Sequence, residues 1–190
     1  MNKSRCYIVL LHYPVYNKQM QIISTSVTNL DIHDISRIAR TYDMEGFFIV
    51  HPHPEQQRLV RDIIDYWTEG FGGQYNPDRQ EALKLLRLMP SMEEVVDFVS
   101  ETHGKKPKCI ATDARAYPEA IKYADMKKLL SQAEDETVYL LLLGTGWGLE
   151  ENFIKNCDYI LEPVEYNRLY NHLSVRSAAA VITDRLFGEF

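Results

Sequence analysis

The chain has 190 residues, with 21 Lys and Arg against 27 Asp and Glu, a formal net charge of −6 and a pI near 5.5. That is the length of one domain, and a hydrophobic share of 45% with 12 Tyr and 7 Phe provides a core, which excludes disordered and collagen-like chains. The longest uninterrupted apolar runs, such as residues 138–143, fall far short of the roughly 20 residues of a bilayer span, so no transmembrane helix is expected.

Taken in chain order, residues 6–12 form a nearly continuous apolar run stopped by Pro14, the pattern of a strand buried on both faces of a parallel sheet. Residues 31–42 place Ile32, Ile35, Ile38 and Ala39 at helical spacing, with Asn29 or Asp31 as the expected cap. Gly46 opens a second buried strand, residues 47–50, which ends at His51-Pro52-His53-Pro54. A helix to about Trp67 follows, then a glycine-rich loop over residues 69–73 that is expected to be flexible. Residues 79–86 read as a helix, residues 86–89 as a short strand, and residues 91–100 as a helix opened by the capping box Ser91-Met92-Glu93-Glu94. A strand over residues 108–112 and a helix over residues 118–132 lead to the most apolar strand, residues 137–143. That strand runs directly into Gly144-Thr145-Gly146-Trp147-Gly148-Leu149. A helical turn over residues 149–155, a strand over residues 159–161 broken by Pro163, and a helix over residues 173–187 that stops at Gly188 complete the chain. Strands separated by helices throughout predict a single α/β domain over residues 1–190, built on a mostly parallel sheet with helices on both faces. Such sheets bind ligands at the carboxyl ends of their strands.

The residues that carry chemistry lie in the last third. Gly144, Gly146 and Gly148 follow a buried strand and precede a helix, where glycines let backbone amides approach a ligand. The spacing fits neither a dinucleotide-binding GxGxxG nor a Walker loop. Downstream, Ser174 to Ala180 is rich in small residues, which lets a helix pack close to another backbone. Charge is uneven. Residues 102–128 carry seven basic side chains against three acids, a local net of +4, whereas residues 129–165 carry eight acids and one lysine. A polyanion docks on the first stretch, or the stretch is a solvated helical face. His12, His51 and His53 stand at strand ends, but residues two apart on an extended chain point oppositely, and no carboxylate or cysteine completes a ligand set. No metal site is expected. Three cysteines without a CxxC pair predict buried thiols. The N-terminus, Met1 to Lys3, lacks the features of a signal peptide, which predicts a cytoplasmic protein.

The ordered set of Asn29 to Arg40 leading into Phe47 to Pro52, then Leu141 to Leu149, then Ile160 to Pro163, then Asn171 to Val175 resembles the SPOUT class of RNA methyltransferases over nearly the whole chain. The resemblance implies a C-terminal trefoil knot, a homodimer formed through the knot region, and S-adenosylmethionine as methyl donor. It implies a donor cleft walled by Leu143, Gly144, Thr145, Gly146, Gly148 and Leu149, by Ile160, Leu161 and Pro163, and by Leu173, Ser174, Val175 and Ala178. It implies an RNA acceptor, a base or ribose of tRNA or rRNA, and a catalytic role for Arg40, with Arg37 one helical turn earlier as the competing position. An arginine suits phosphate binding or transition-state charge better than base catalysis, because its pKa exceeds about 12. Glu165, Tyr166, Asn167 and Arg176 stay open as acceptor-site residues. The alternative from another class is a non-catalytic α/β domain that keeps the cleft and binds a nucleotide or a protein partner.

Overall fold

The computed structural model describes residues 5–132, 137–168 and 170–189; Met1 to Lys3 and the acids Glu134, Asp135 and Glu136 of the acidic stretch lie outside them. The elements in order are β1 (Arg5–Leu11), β2 (Val15–Tyr16), β3 (Ile22–Ile23), α1 (Asn29–Thr41), β4 (Gly46–Val50), α2 (Pro54–Thr68), α3 (Phe71–Tyr75), α4 (Pro77–Leu83), β5 (Leu86–Met89), α5 (Met92–His103), β6 (Lys108–Ala111), α6 (Tyr123–Ser131), β7 (Val138–Gly144), α7 (Glu151–Lys155), β8 (Tyr159–Ile160) and α8 (Val175–Phe187). Six strands form one parallel sheet in the order β5-β4-β1-β7-β6-β8, and β2 pairs with β3 as a separate antiparallel hairpin.

Why the strands are apolar throughout follows from the layers. Ile8 and Leu10 of β1, Phe47 and Ile49 of β4, and Leu141 and Leu143 of β7 face α1, α2, α4, α6 and α8. Their alternating neighbours Val9, Leu11, Phe48, Val50, Leu140 and Leu142 face α5 and α7. Both faces are covered, so neither register position tolerates a polar residue, and each fully buried leucine contributes about 2 kcal/mol of transfer free energy. The chain builds outward through β1, β4 and β5, crosses to β6, and returns to insert β7 between β1 and β6. β1 and β7 pair over seven positions that end at Leu11 opposite Gly144, so the glycine turn emerges at the carboxyl edge of the sheet centre.

Three local expectations are corrected, and one element is new. α1 is capped by Thr28, not by Asn29 or Asp31: its Oγ1 accepts from the Asp31 N–H at 3.2 Å and donates to Asp31 Oδ2 at 2.7 Å, a reciprocal arrangement. The glycine-rich stretch is not a loose loop, because α3 forms there and Gly72 and Gly73 allow it to press against Tyr66 and Trp67 of α2. α6 starts five residues later than the periodicity suggested. Ile121 is instead paired like a strand, its N–H donating to Ile160 O at 2.8 Å and its carbonyl accepting from the Glu162 N–H at 2.9 Å. Finally, the hairpin of β2 and β3 has no counterpart in the sequence reading. Cys6 is buried and Cys109 and Cys157 are half-buried, all three as free thiols. Burial pushes their thiols up to about 12, 11 and 12 respectively, which makes them poor nucleophiles.

Candidate active-site cleft

A cleft of about 680 Å³ opens at the carboxyl ends of β7 and β6 and runs to the start of α8. Its floor is the turn after β7. Gly146 (φ +60°) and Gly148 (φ +95°) occupy the left-handed region, which is open to glycine at no steric cost. The turn is clipped to the hairpin: the Trp147 N–H donates to Tyr16 O at 2.8 Å, and the Tyr16 N–H donates to Gly148 O at 2.9 Å. A Cβ on Gly146 would lie 2.7 Å from the Tyr16 carbonyl oxygen, and one on Gly144 2.7 Å from Leu149 Cγ.

Of the thirteen residues expected as cofactor walls, Leu143, Gly144, Thr145, Gly146, Gly148, Leu173, Ser174, Val175 and Ala178 line this cleft together. Leu149, Ile160, Leu161 and Pro163 do not; they are buried in the layers beneath it. After β8 it is Glu162 and Val164 that face the opening, and Pro163 between them lies on the other side, as alternation in an extended segment requires. Arg40 is also elsewhere. It sits at the C-terminal end of α1, with Nη2 2.6 Å from Glu81 Oε1 and Nη1 2.9 Å from Asp43 Oδ1. Asp31, nine positions earlier, reaches the cleft, so the two ends of α1 are separated by about 14 Å along its axis. Arg37 and Arg176 line a shallow groove between α1 and α8 instead, and Ser174 borders both this groove and the cleft. Arg176 is held by Asp31 at 3.3 Å and Asp34 at 3.0 Å, and Glu165 pairs with Arg168.

Several cleft residues escaped the sequence reading because they arrive from distant segments: Thr25, Ser26, Thr28 and Asp31 from the stretch after the hairpin, and residues 112–115 from the end of β6. The Asp113 carboxylate, 2% exposed, is gripped by the Arg115 guanidinium, whose Nη2 also donates to Leu149 O at 2.6 Å. That pair ties the loop after β6 to the glycine turn. A second tie is buried under the floor. Thr145 Oγ1 donates to Leu11 O at 3.3 Å and shares a short hydrogen bond with Thr25 Oγ1, which lies 3.0 Å from His12 Nδ1. Every hydroxyl is satisfied when His12 carries its proton on Nδ1 and donates to Thr25. His51 Nε2 donates to the Thr25 carbonyl at 2.9 Å, so two buried imidazoles bracket one threonine. Burial, reinforced by His51, pulls His12 down from 6.5 to about 4, and burial likewise lowers His51. Both rings are therefore neutral at physiological pH, as anchors of the cleft wall and not as charged groups. Among the described residues no cluster of three or more His, Cys, Asp or Glu is placed to hold a metal ion.

A parallel sheet with a glycine-floored cleft at its carboxyl edge, closed by a C-terminal helix, is the architecture of SPOUT-class methyltransferases. The SpoU methyltransferase AviRb from Streptomyces viridochromogenes, in complex with AdoMet, superposes with a TM-score of 0.58 at 15% identity over 98% of this chain and 58% of that one, a likeness of fold. Residues 5–188 match the family of SAM-dependent RNA methyltransferases, and the chain belongs to that family. It is 38% identical over 187 residues to an uncharacterised protein of Aquifex aeolicus, covering 98% of this chain and 90% of that protein. It is 40% identical over 183 residues to a tRNA (guanine-N(1)-)-methyltransferase of Oleidesulfovibrio alaskensis, covering 96% of this chain but only 42% of the relative. More than half of that longer protein lies outside the shared region.

Proposed function

We propose that the cleft holds S-adenosylmethionine and delivers its methyl group to a base or ribose of tRNA or rRNA, with the chain acting as a homodimer. The observation that carries this reading is the convergence of residues 143–148, of Glu162 and Val164, and of residues 171–175 with Ala178 on one cleft, in a chain of the SAM-dependent RNA methyltransferase family. The residues present suit the donor. About 680 Å³ is in the range of small-molecule sites, Leu143, Val175, Ala178 and Ile182 supply aliphatic walls for an adenosine, and Ser26 supplies a hydroxyl. When bound, the donor contributes a methyl group on a positively charged sulfonium, a charge that disappears on transfer. Of the acids that line the cleft, Asp31 is paired with Arg176 and Asp113 with Arg115, which leaves Glu162 to favour the charged donor over its neutral product. Arg115, bound to Asp113 and Leu149, and the buried network of His12, Thr25 and Thr145 keep the walls at fixed separation, which is the protein's main contribution to an in-line displacement.

With this reading go a single domain over residues 1–190, a C-terminal trefoil knot, and a cytoplasmic location; no described helix is long and apolar enough to cross a membrane. Both faces of one sheet carrying the whole core supports the single domain. Arg40 keeps its proposed role only if it serves the cleft of a second chain, because about 14 Å of helix separates it from its own. The test is transfer of tritiated methyl groups into total RNA. Arg40→Ala is expected to abolish transfer while leaving donor affinity unchanged, and mixing Arg40→Ala chains with Gly146→Val chains is expected to restore part of it. Unchanged turnover in Arg40→Ala removes Arg40 from the reaction, and failure of the mixture to recover places it in its own cleft or outside the chemistry.

A further inference from the structure

Trp147 and His172 stand exposed in the cleft lining, and Tyr170 stands exposed beside His172. Trp147 is 54% exposed although its N–H and the Gly148 carbonyl are hydrogen-bonded to Tyr16 of β2. Opposite it in the chain's course, Tyr170 is 77% exposed and His172 is likewise exposed, with their ring centroids 5.4 Å apart at 80°. Asn171 between them donates from Nδ2 to Ala114 O at 3.0 Å, which ties this segment to the loop after β6. Trp147 and His172 both line the cleft. The uncovered indole, and the uncovered phenol and imidazole, expose apolar surface that the folded chain does not use.

We infer that Trp147, Tyr170 and His172 form a stacking platform for an unpaired base of the RNA substrate, beside the site of methyl delivery; this rests on the proposed function. Three considerations point to a base. The aliphatic walls deeper in the cleft already provide for the donor's single adenosine, which leaves the rim without an occupant. A group inside a base-paired stack cannot reach a cleft of this depth, so the acceptor nucleotide must be splayed out and its π-face received by a partner. A chain with a net charge of −6 gains little from phosphate attraction, whereas aromatic stacking needs no net charge and holds any base.

The chain has two tryptophans, Trp67 and Trp147, so a Trp67→Phe variant reports on Trp147 alone. A mixed-sequence single-stranded oligoribonucleotide is expected to quench that fluorescence, and S-adenosylhomocysteine alone to quench it less. Independently of tryptophan, Tyr170→Ala is expected to weaken binding of the labelled oligoribonucleotide about tenfold while S-adenosylhomocysteine binds as to the unaltered chain. Tyr75→Ala is the control: Tyr75 is 78% exposed and stacked on Phe71 of α3, outside the cleft lining, and its loss is expected to change neither affinity. Unchanged RNA affinity in Tyr170→Ala, an equal loss in Tyr75→Ala, or no RNA binding by the unaltered chain overturns the platform. RNA binding that depends on Tyr170 in a chain that binds no S-adenosylhomocysteine leaves the platform standing and overturns the donor cleft.

Discussion

Gly146→Val is expected to lower affinity for S-adenosylmethionine by about a hundredfold or more, equivalent to roughly 3 kcal/mol. Two costs combine. At φ +60° an L-residue pays about 1–2 kcal/mol, and a β-branched one more. The new Cβ would also stand 2.7 Å from the Tyr16 carbonyl oxygen, a backbone atom that cannot swing aside. Relief requires the turn to leave β2, breaking the bond from the Trp147 N–H and moving the cleft floor. Gly104→Ala separates strain from site damage. Gly104 has φ +67° with nothing within 4 Å of its Cβ position, so it carries the same backbone penalty far from the floor. Calorimetry with both variants, alongside thermal melts, is expected to show donor affinity lost only in Gly146→Val. Full affinity in a folded Gly146→Val chain contradicts the assignment of the turn.

The second large effect is on stability in acid. His12 is depressed in the folded chain to about 4 against 6.5 for a free side chain. Between these values the unfolded chain binds a proton that the folded chain does not, so stability falls as the pH drops through this window. The loss is on the order of 3 kcal/mol from His12, and His51, shifted the same way, adds to it. His12→Asn keeps a donor toward Thr25 Oγ1 without a group that titrates there. Denaturant unfolding between about pH 6.5 and about pH 4 is expected to show a shallower decline in His12→Asn than in the unaltered chain. Parallel declines in the two contradict the burial of a neutral imidazole.

The sheet was legible because its strands are buried on both faces, and a continuous apolar run such as residues 138–143 announces that without ambiguity. The glycine turn was legible for the same reason: it follows the most apolar strand, and a parallel sheet delivers that point to a ligand. What stayed hidden depends on partners far away in sequence. Thr25 meets Thr145 across 120 positions, through a hairpin of two-residue strands with no readable period. Asp113 and Arg115 read as part of a basic stretch, whereas in the fold each is largely committed to the other. Leu161 and Pro163 are buried while Glu162 and Val164 line the cleft, an alternation that a motif leaves open and that the pairing of β8 with β6 fixes. The expected loop at residues 69–73 erred through reading glycine as freedom where Gly72 and Gly73 serve close packing.

The central claim is that this cleft holds the methyl donor, and the most direct test is a calorimetric titration of the unaltered chain with S-adenosylmethionine and S-adenosylhomocysteine. The account predicts saturable binding of both in the micromolar range, with Trp147 fluorescence changing in step. A folded chain that binds neither contradicts it, and leaves a domain with a methyltransferase's shape whose partner is to be sought among proteins or other nucleotides.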